Sequence, residues 1–318
     1  MSGGIHNSTK SAPNRVIDWL LTFLLRCVIA GLQALPLALV ARLGLAGGAG
    51  AFVLDRRHRA VALSNLAVAF PEKTAPEVHA LAQENFRRIG ENFACAAKTA
   101  SFTAEQVRGV LELSGAEKLP RTSDGTPQSV IVAVGHFGNF ELYARTNLFV
   151  PGYQMATTYR GLRQPGADAL LQALRAQSGA RYFERRRDAD ALKAALAQPG
   201  LMLGLLADQH AGDHGVRLPF LGRDCSTSRA APVLALRYGC PLFTAICYRT
   251  APGRWRIEFG DEIPTQAHGE PRPAEVIARE INTAFEAAVR RDPANWFWVH
   301  NRWKEGKWRE VKPEAERD

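Results

Sequence analysis

His136 stands in the segment Gly135-His136-Phe137-Gly138-Asn139-Phe140-Glu141, an imidazole with a carboxylate five residues downstream. A neutral imidazole can take a proton from a hydroxyl, while a carboxylate on its other nitrogen fixes the tautomer and stabilises the imidazolium that forms. Spacing alone does not single out this pair, because His79 with Glu84 and His300 with Glu305 share it. Context does. The run Gln128–Val134 reads as a buried strand ending at Gly135, and open α/β sheets place their ligand crevice at such strand ends. Gly135 and Gly138 permit unusual backbone geometry and close approach of a ligand. In one straight helix five residues turn about 140°, so the two side chains meet only if His136 precedes the helix. The expectation is a proton-abstracting His136 partnered by Glu141.

The elements that must hold this segment alternate. Apolar, β-branched runs at Tyr153–Tyr159, Leu201–Leu206, Pro241–Tyr248 and Trp255–Phe259 read as further strands. Helical periodicity covers Ala75–Thr99, Gly166–Gln177, Ala189–Ala197, Ser228–Tyr238 and Ala274–Arg290, with a turn or two at Ala104–Leu113. Alternation of this kind predicts an α/β fold with helices on the faces of one central sheet. Asp208 and Gln209 close the run from Leu201, and an acid at the exit of a buried strand is either a cap or a site residue; the site role is favoured here.

The 318 residues carry a formal charge of +9, with 46% apolar and 22% charged side chains. That composition excludes disorder, collagen and coiled coil as the main body. Residues 1–14 are polar and predict an unstructured lead-in. From Val16 to Leu54 only Asp18, Arg26 and Arg42 are charged, and Arg26 interrupts the apolar run before a clean span is reached. Residues 1–60 hold seven basic and two acidic side chains, so the positive charge gathers beside this segment. Cations flanking apolar helices favour anionic headgroups on the cytoplasmic side. The reading is a membrane anchor over residues 15–55, the alternative being an apolar cover on a soluble core. Gly44, Gly47, Gly48 and Gly50 lack the spacing of a nucleotide loop and predict close helix contacts instead. Residues 56–310 would form the single catalytic domain and 311–318 a polar tail.

Several segments beyond His136 resemble one family, the bacterial lipid A biosynthesis acyltransferases of the late, lauroyl/myristoyl type. Gly135–Glu141 is similar to its catalytic box. Arg59 with Asn65-Leu66 and Phe70-Pro71 resembles the stretch after its anchor, and Tyr159-Arg160 its second motif. Asp208-Gln209 with Val216–Gly222 resembles the third, Thr227 with Ala230–Ala235 the run that follows, and Asn295–Lys304 the C-terminal signature. The likeness covers about residues 16–304. It implies a mixed central sheet flanked by helices, like that of the glycerolipid acyltransferases. It also implies transfer of a fatty acyl group from an acyl carrier protein thioester to a hydroxyl of a lipid A precursor, at the cytoplasmic face of the inner membrane. By position His136 would be the general base and Glu141 its partner. Arg160 would supply positive charge near the headgroup or oxyanion, and Asp208 an ordering carboxylate. Asn139, Gln209 and Arg217 are carried over as substrate-binding positions. The reaction needs neither cofactor nor metal, since a thioester is already activated. Phe140 stands where Trp is usual, Gly161 where Pro is common, and Leu221 where an aromatic is common, which bears on acceptor and chain-length preference.

Alternatives remain: another glycolipid or a glycerophosphate as acceptor, or a catalytically silent membrane-bound binding protein. A hydrolase lacks a Gly-x-Ser-x-Gly elbow. Nucleic acid is not an expected partner, since no recognition motif accompanies the basic charge. Cys27, Cys95, Cys225, Cys240 and Cys247 show no CxxC spacing and read as packed apolar residues. Arg185-Arg186-Arg187 reads as a solvated face, with phosphate or carrier-protein binding as the alternative. Trp296, Trp298 and Trp303 suit either a membrane-interface belt or packing on the domain.

Overall fold

A computed structural model of the chain describes residues 15–162, 164–185 and 187–304. The expected lead-in 1–14 and tail 311–318 lie outside the described residues. Helices α1 (Arg15–Ala34) and α2 (Leu37–Leu54) come first, divided at Pro36. A proline there has no N–H for the preceding helix but accepts from Leu39 and Val40, opening α2. Both helices are long and apolar enough to cross a bilayer. Arg26, which divides the apolar run, lies within the continuous helix α1, and a long cationic side chain on an apolar helix can reach toward the headgroups. Along α1 the side chains of Val16, Trp19, Leu20, Phe23 and Leu24 are exposed, a surface suited to lipid.

Helix α2 differs, because one of its faces is buried. Gly44 and Gly48 lie against Gly90 on α4 (Ala75–Thr99), so closely that a Cβ on Gly48 would stand 2.1 Å from the Phe86 carbonyl oxygen. Gly47 and Gly50 face open space. The close helix contact expected of the glycines is thus made by two of the four. Helix α3 (Arg56–Ala69) follows without a sequence signal, capped by Asp55, whose carboxylate accepts from the His58 N–H.

The body is a mixed α/β structure around a seven-stranded sheet, with helices on its faces. Its strands are β1 (Leu111–Ser114), β2 (Val130–Val134), β3 (Gln154–Tyr159), β4 (Arg181–Glu184), β5 (Leu201–Leu206), β8 (Leu242–Ala251) and β9 (Arg254–Phe259), ordered β1-β9-β8-β2-β5-β3-β4. Strands β6 (Val216–Phe220) and β7 (Arg223–Thr227) form a separate hairpin. All sheet pairs are parallel except β8 with β9. Strand β2 is buried at all five positions, as its unbroken apolar run requires when helices cover both faces. In register, Val134 pairs with Leu206, so the ends of β2 and β5 lie side by side. Helices α6 (Pro165–Ala176), α7 (Ala189–Leu196), α8 (Ala230–Tyr238) and α9 (Ala274–Arg291) complete the layers, with a short α5 (Ala104–Arg108) before β1. Trp296, Trp298 and Trp303 are all buried against the body, so the interface-belt reading is replaced by packing.

Candidate active site

His136 and Asp208 each stand two residues beyond a strand end, His136 after β2 and Asp208 after β5. Because those ends are in register, the two side chains meet. The His136 ring Nδ1 lies 2.8 Å from Asp208 Oδ1, and the His136 backbone N–H donates to Oδ2 at 2.8 Å. The indole N–H of Trp296 donates to the same Oδ2 at 2.8 Å. Asp208 is fully buried; burial raises its carboxyl, but the charge and hydrogen bonds of His136, with the Trp296 bond, outweigh that and hold it at about 2. An ionised carboxylate on Nδ1 assigns that nitrogen the proton and leaves Nε2 as the acceptor. Gln209 Nε2 is 3.4 Å from Nε2.

The loop between β2 and the following 3-10 helix (Phe140–Leu148) depends on its glycines. Gly138 has φ +51°, and a Cβ there would stand 2.6 Å from the Cys247 carbonyl oxygen. At Gly135 a Cβ would press on the Phe137 ring and come within 3.2 Å of the Asp208 carboxyl carbon. The Gly138 N–H donates to the Asn295 carbonyl, tying the loop to the C-terminal segment.

Glu141 does not partner His136. Its carboxylate is gripped by Arg175 of α6, from Nη2 at 2.6 Å and Nε at 3.2 Å. The local spacing misled because the partner of His136 arrives from the adjacent strand, while the first turn of the 3-10 helix turns Glu141 toward α6. His136, Asn139 and Glu141 all line one cavity of about 400 Å³, walled by α4, the 3-10 helix, α6 and residues 294–297. Asn139 is buried; among the described residues its side chain makes only a long 3.5 Å contact, from Nδ2 to the Thr99 hydroxyl. Arg160 is exposed and lies outside this lining. Arg217 is also outside it, on the hairpin, paired with Asp224 at 2.9 Å. The geometry therefore joins His136, Asp208 and Gln209, places Asn139 and Glu141 on the same cavity, and leaves Arg160 and Arg217 elsewhere.

Further side chains complete the surroundings. Phe140 and Phe297 stand on the His136 ring at centroid distances of 4.8 and 5.9 Å. Arg302, fully buried, donates to the carbonyls of Gln209 and Ser226 and to the Thr227 hydroxyl, pinning the loop after β5. The signal for Asp208 was in the sequence: both strands are unbroken apolar runs, each followed two residues later by a polar group. Among the described residues no cluster of His, Cys, Asp and Glu is arranged to hold a metal ion.

A cavity walled largely by apolar side chains, with a histidine at its edge able to take a proton from a hydroxyl, is compatible with acyl transfer, and the family match defines the class as an acyltransferase. The chain belongs to the family described as bacterial lipid A biosynthesis acyltransferase, whose model matches residues 7–305. It is 25% identical to the lipid A biosynthesis palmitoleoyltransferase of Escherichia coli K12 over 275 residues, 85% of this chain and 86% of that one. A lipid A biosynthesis acyltransferase of Shigella flexneri matches to the same extent. The lipid A biosynthesis myristoyltransferase of E. coli K12 is 25% identical over 293 residues, 88% and 84% of the two chains.

Proposed function

We propose that this protein moves a fatty acyl group from an acyl carrier protein thioester to a hydroxyl of a lipid A precursor, at the cytoplasmic face of the inner membrane. The observation that carries the reading is the His136–Asp208 pair at the edge of an apolar cavity. Relatives named for palmitoleoyl and myristoyl transfer support a long-chain donor, and the basic residues after α2, with two apolar helices, support the membrane face.

In this scheme His136 Nε2 accepts the hydroxyl proton as the oxygen attacks the thioester carbonyl, forming the C–O bond. Asp208 stabilises the imidazolium and holds the ring in register. The tetrahedral intermediate then collapses, the C–S bond breaks, and the departing thiolate takes the proton from His136. Arg175 and Glu141, joined as an ion pair, form part of the cavity wall. Gln209 lies close enough to Nε2 to orient the acceptor.

The purified full-length protein, given acyl carrier protein donors and a lipid A precursor, should yield the acylated lipid by mass spectrometry. His136→Ala should lower the rate by at least ~100-fold, the usual loss for a general base. Near-normal transfer by that variant, or acylation of a different glycolipid or glycerophosphate only, overturns the corresponding part of the reading.

A further inference from the structure

The cavity has two unlike ends, and α4 separates them. At one end Phe93, 53% exposed, meets Phe140 and Phe297, the two rings that also touch His136. At the other, Arg145 is only 8% exposed and bonds to the end of α4. From Phe93 to Ala100 the helix advances about 10 Å. The end beside His136 is thus the one with an exposed wall, at Phe93, and the other, beyond the small side chains of Ala96 and Ala97, carries the buried Arg145.

Arg145 is an unusual floor for an apolar cavity. Its Nη2 donates to the carbonyls of Ala100 at 2.9 Å and Phe102 at 3.2 Å, with Thr99 at 3.5 Å. Among the described residues no carboxylate pairs with it, and its Nε and Nη1 donors have no protein acceptor. Tyr182, beside it on the cavity lining, has its hydroxyl 3.5 Å from Ser178 Oγ. A guanidinium whose free donors reach the cavity donates to water or an oxygen function there and penalises hydrocarbon, which displaces the water and returns no hydrogen bond.

We infer that Arg145 is a specificity-determining residue that sets the upper length of the saturated acyl chain by ending the apolar part of the cavity. The inference rests on reading this cavity as the acyl site. A chain whose thioester stands at His136 runs along α4, and its methyl end meets Arg145 once it is long enough. Each methylene brought against the guanidinium instead of an apolar wall forfeits about fourfold in binding.

The test is the kcat/KM profile of the full-length protein with saturated acyl carrier protein donors from capric through palmitic. Wild type should show a step of about fifteenfold between two successive even-numbered donors, the effect of two methylenes. In Arg145→Met the step should move to a longer donor, raising the ratio of long-donor to short-donor turnover. Arg145→Gln, which keeps an amide donor for the α4 carbonyls, should move it too, and carries the test should the Met variant fail to fold. An unchanged profile in a folded variant, or a uniform loss at every length, overturns the inference and leaves Arg145 as a cap on α4. Displacement of a neutral solvatochromic probe by n-alkanols of the same lengths reads the step with no donor protein or lipid acceptor. Should transfer fail with every donor while the alkanol step still moves in Arg145→Met, the acyl-transfer reading falls and the role of Arg145 stands. Transfer without any step, or with one that Arg145→Met leaves in place, removes the role of Arg145 alone.

Discussion

Asp208 and Glu141 divide between them the work that the spacing assigned to Glu141. Asp208 receives three donors, two from His136 and one from Trp296, and its removal leaves the imidazole without an orienting charge. Asp208→Asn keeps the shape but reverses the polarity of one contact, so Nδ1 becomes the acceptor and Nε2 carries the proton. The expected loss of acyl transfer is on the order of 100-fold or more, as in other His–Asp pairs. Glu141→Gln should also lower turnover, by loosening Arg175 in the cavity wall, but less than Asp208→Asn does. Turnover of the two variants with the same donor and acceptor checks this; a larger loss in Glu141→Gln than in Asp208→Asn would return the partnership to Glu141. Asp208 was marked as a site residue, but which acid meets His136 was not legible locally. The pairing depends on the register of β2 and β5, strands separated by β3 and β4 in the chain, and no residue-to-residue spacing encodes it.

At the scale of elements, the legible parts were those with long apolar signals. Strands β2, β3, β5, β8 and β9 and helices α4 and α6 through α9 lie where periodicity places them. The strands that were missed in the sheet are its two edges: β1 reads Leu-Glu-Leu-Ser and β4 Arg-Tyr-Phe-Glu, four residues each, with Glu112 and Arg181 exposed and Glu184 buried. Short, charged strands of this kind blunt an edge and carry little periodic signal. The β6–β7 hairpin was hidden by Pro219 within a strand and by its turn, where Leu221 (φ +49°) stands before Gly222 (φ +82°) in place of the usual Asn-Gly. The α2–α4 seam gives a direct test. Gly48→Val would drive a side chain into the Phe86 carbonyl and should destabilise the protein by about 1–3 kcal/mol or more. Gly47→Ala, one residue away but facing open space, should be neutral or stabilising by about 0.5–1 kcal/mol. Thermal unfolding of both in the same detergent checks the pair, and equal effects would reject the seam.

For the whole molecule, the buried ionisable groups around the site predict how stability changes with acid. His300 is largely buried with Nδ1 unpartnered; burial, partly offset by the Asp208 charge and reinforced by Arg302, brings its pKa from 6.5 down to about 4. The unfolded chain takes a proton at this residue near 6.5 and the folded chain only near 4. Its contribution is therefore complete above 6.5 and is lost as pH falls from 6.5 toward 4. Asp208 follows the carboxylate rule in a lower window, its contribution being lost as pH falls from 3.8 toward 2. The melting temperature should decline between pH 6.5 and 4, and more shallowly in His300→Gln, as followed by differential scanning fluorimetry. A decline of equal slope in that variant would remove His300 as the cause. The global α/β layering was readable from alternation, whereas the way the last segment folds back over the site was not, because its contacts are with residues up to 235 positions away.

That return of the last segment also orders events in time. Trp296 supplies a donor to Asp208, Phe297 covers His136, and Asn295 holds the Gly138 loop. A nascent polypeptide whose apolar helices have already reached the bilayer still lacks these three residues until translation passes them. During that interval His136 is not yet assembled as a proton acceptor.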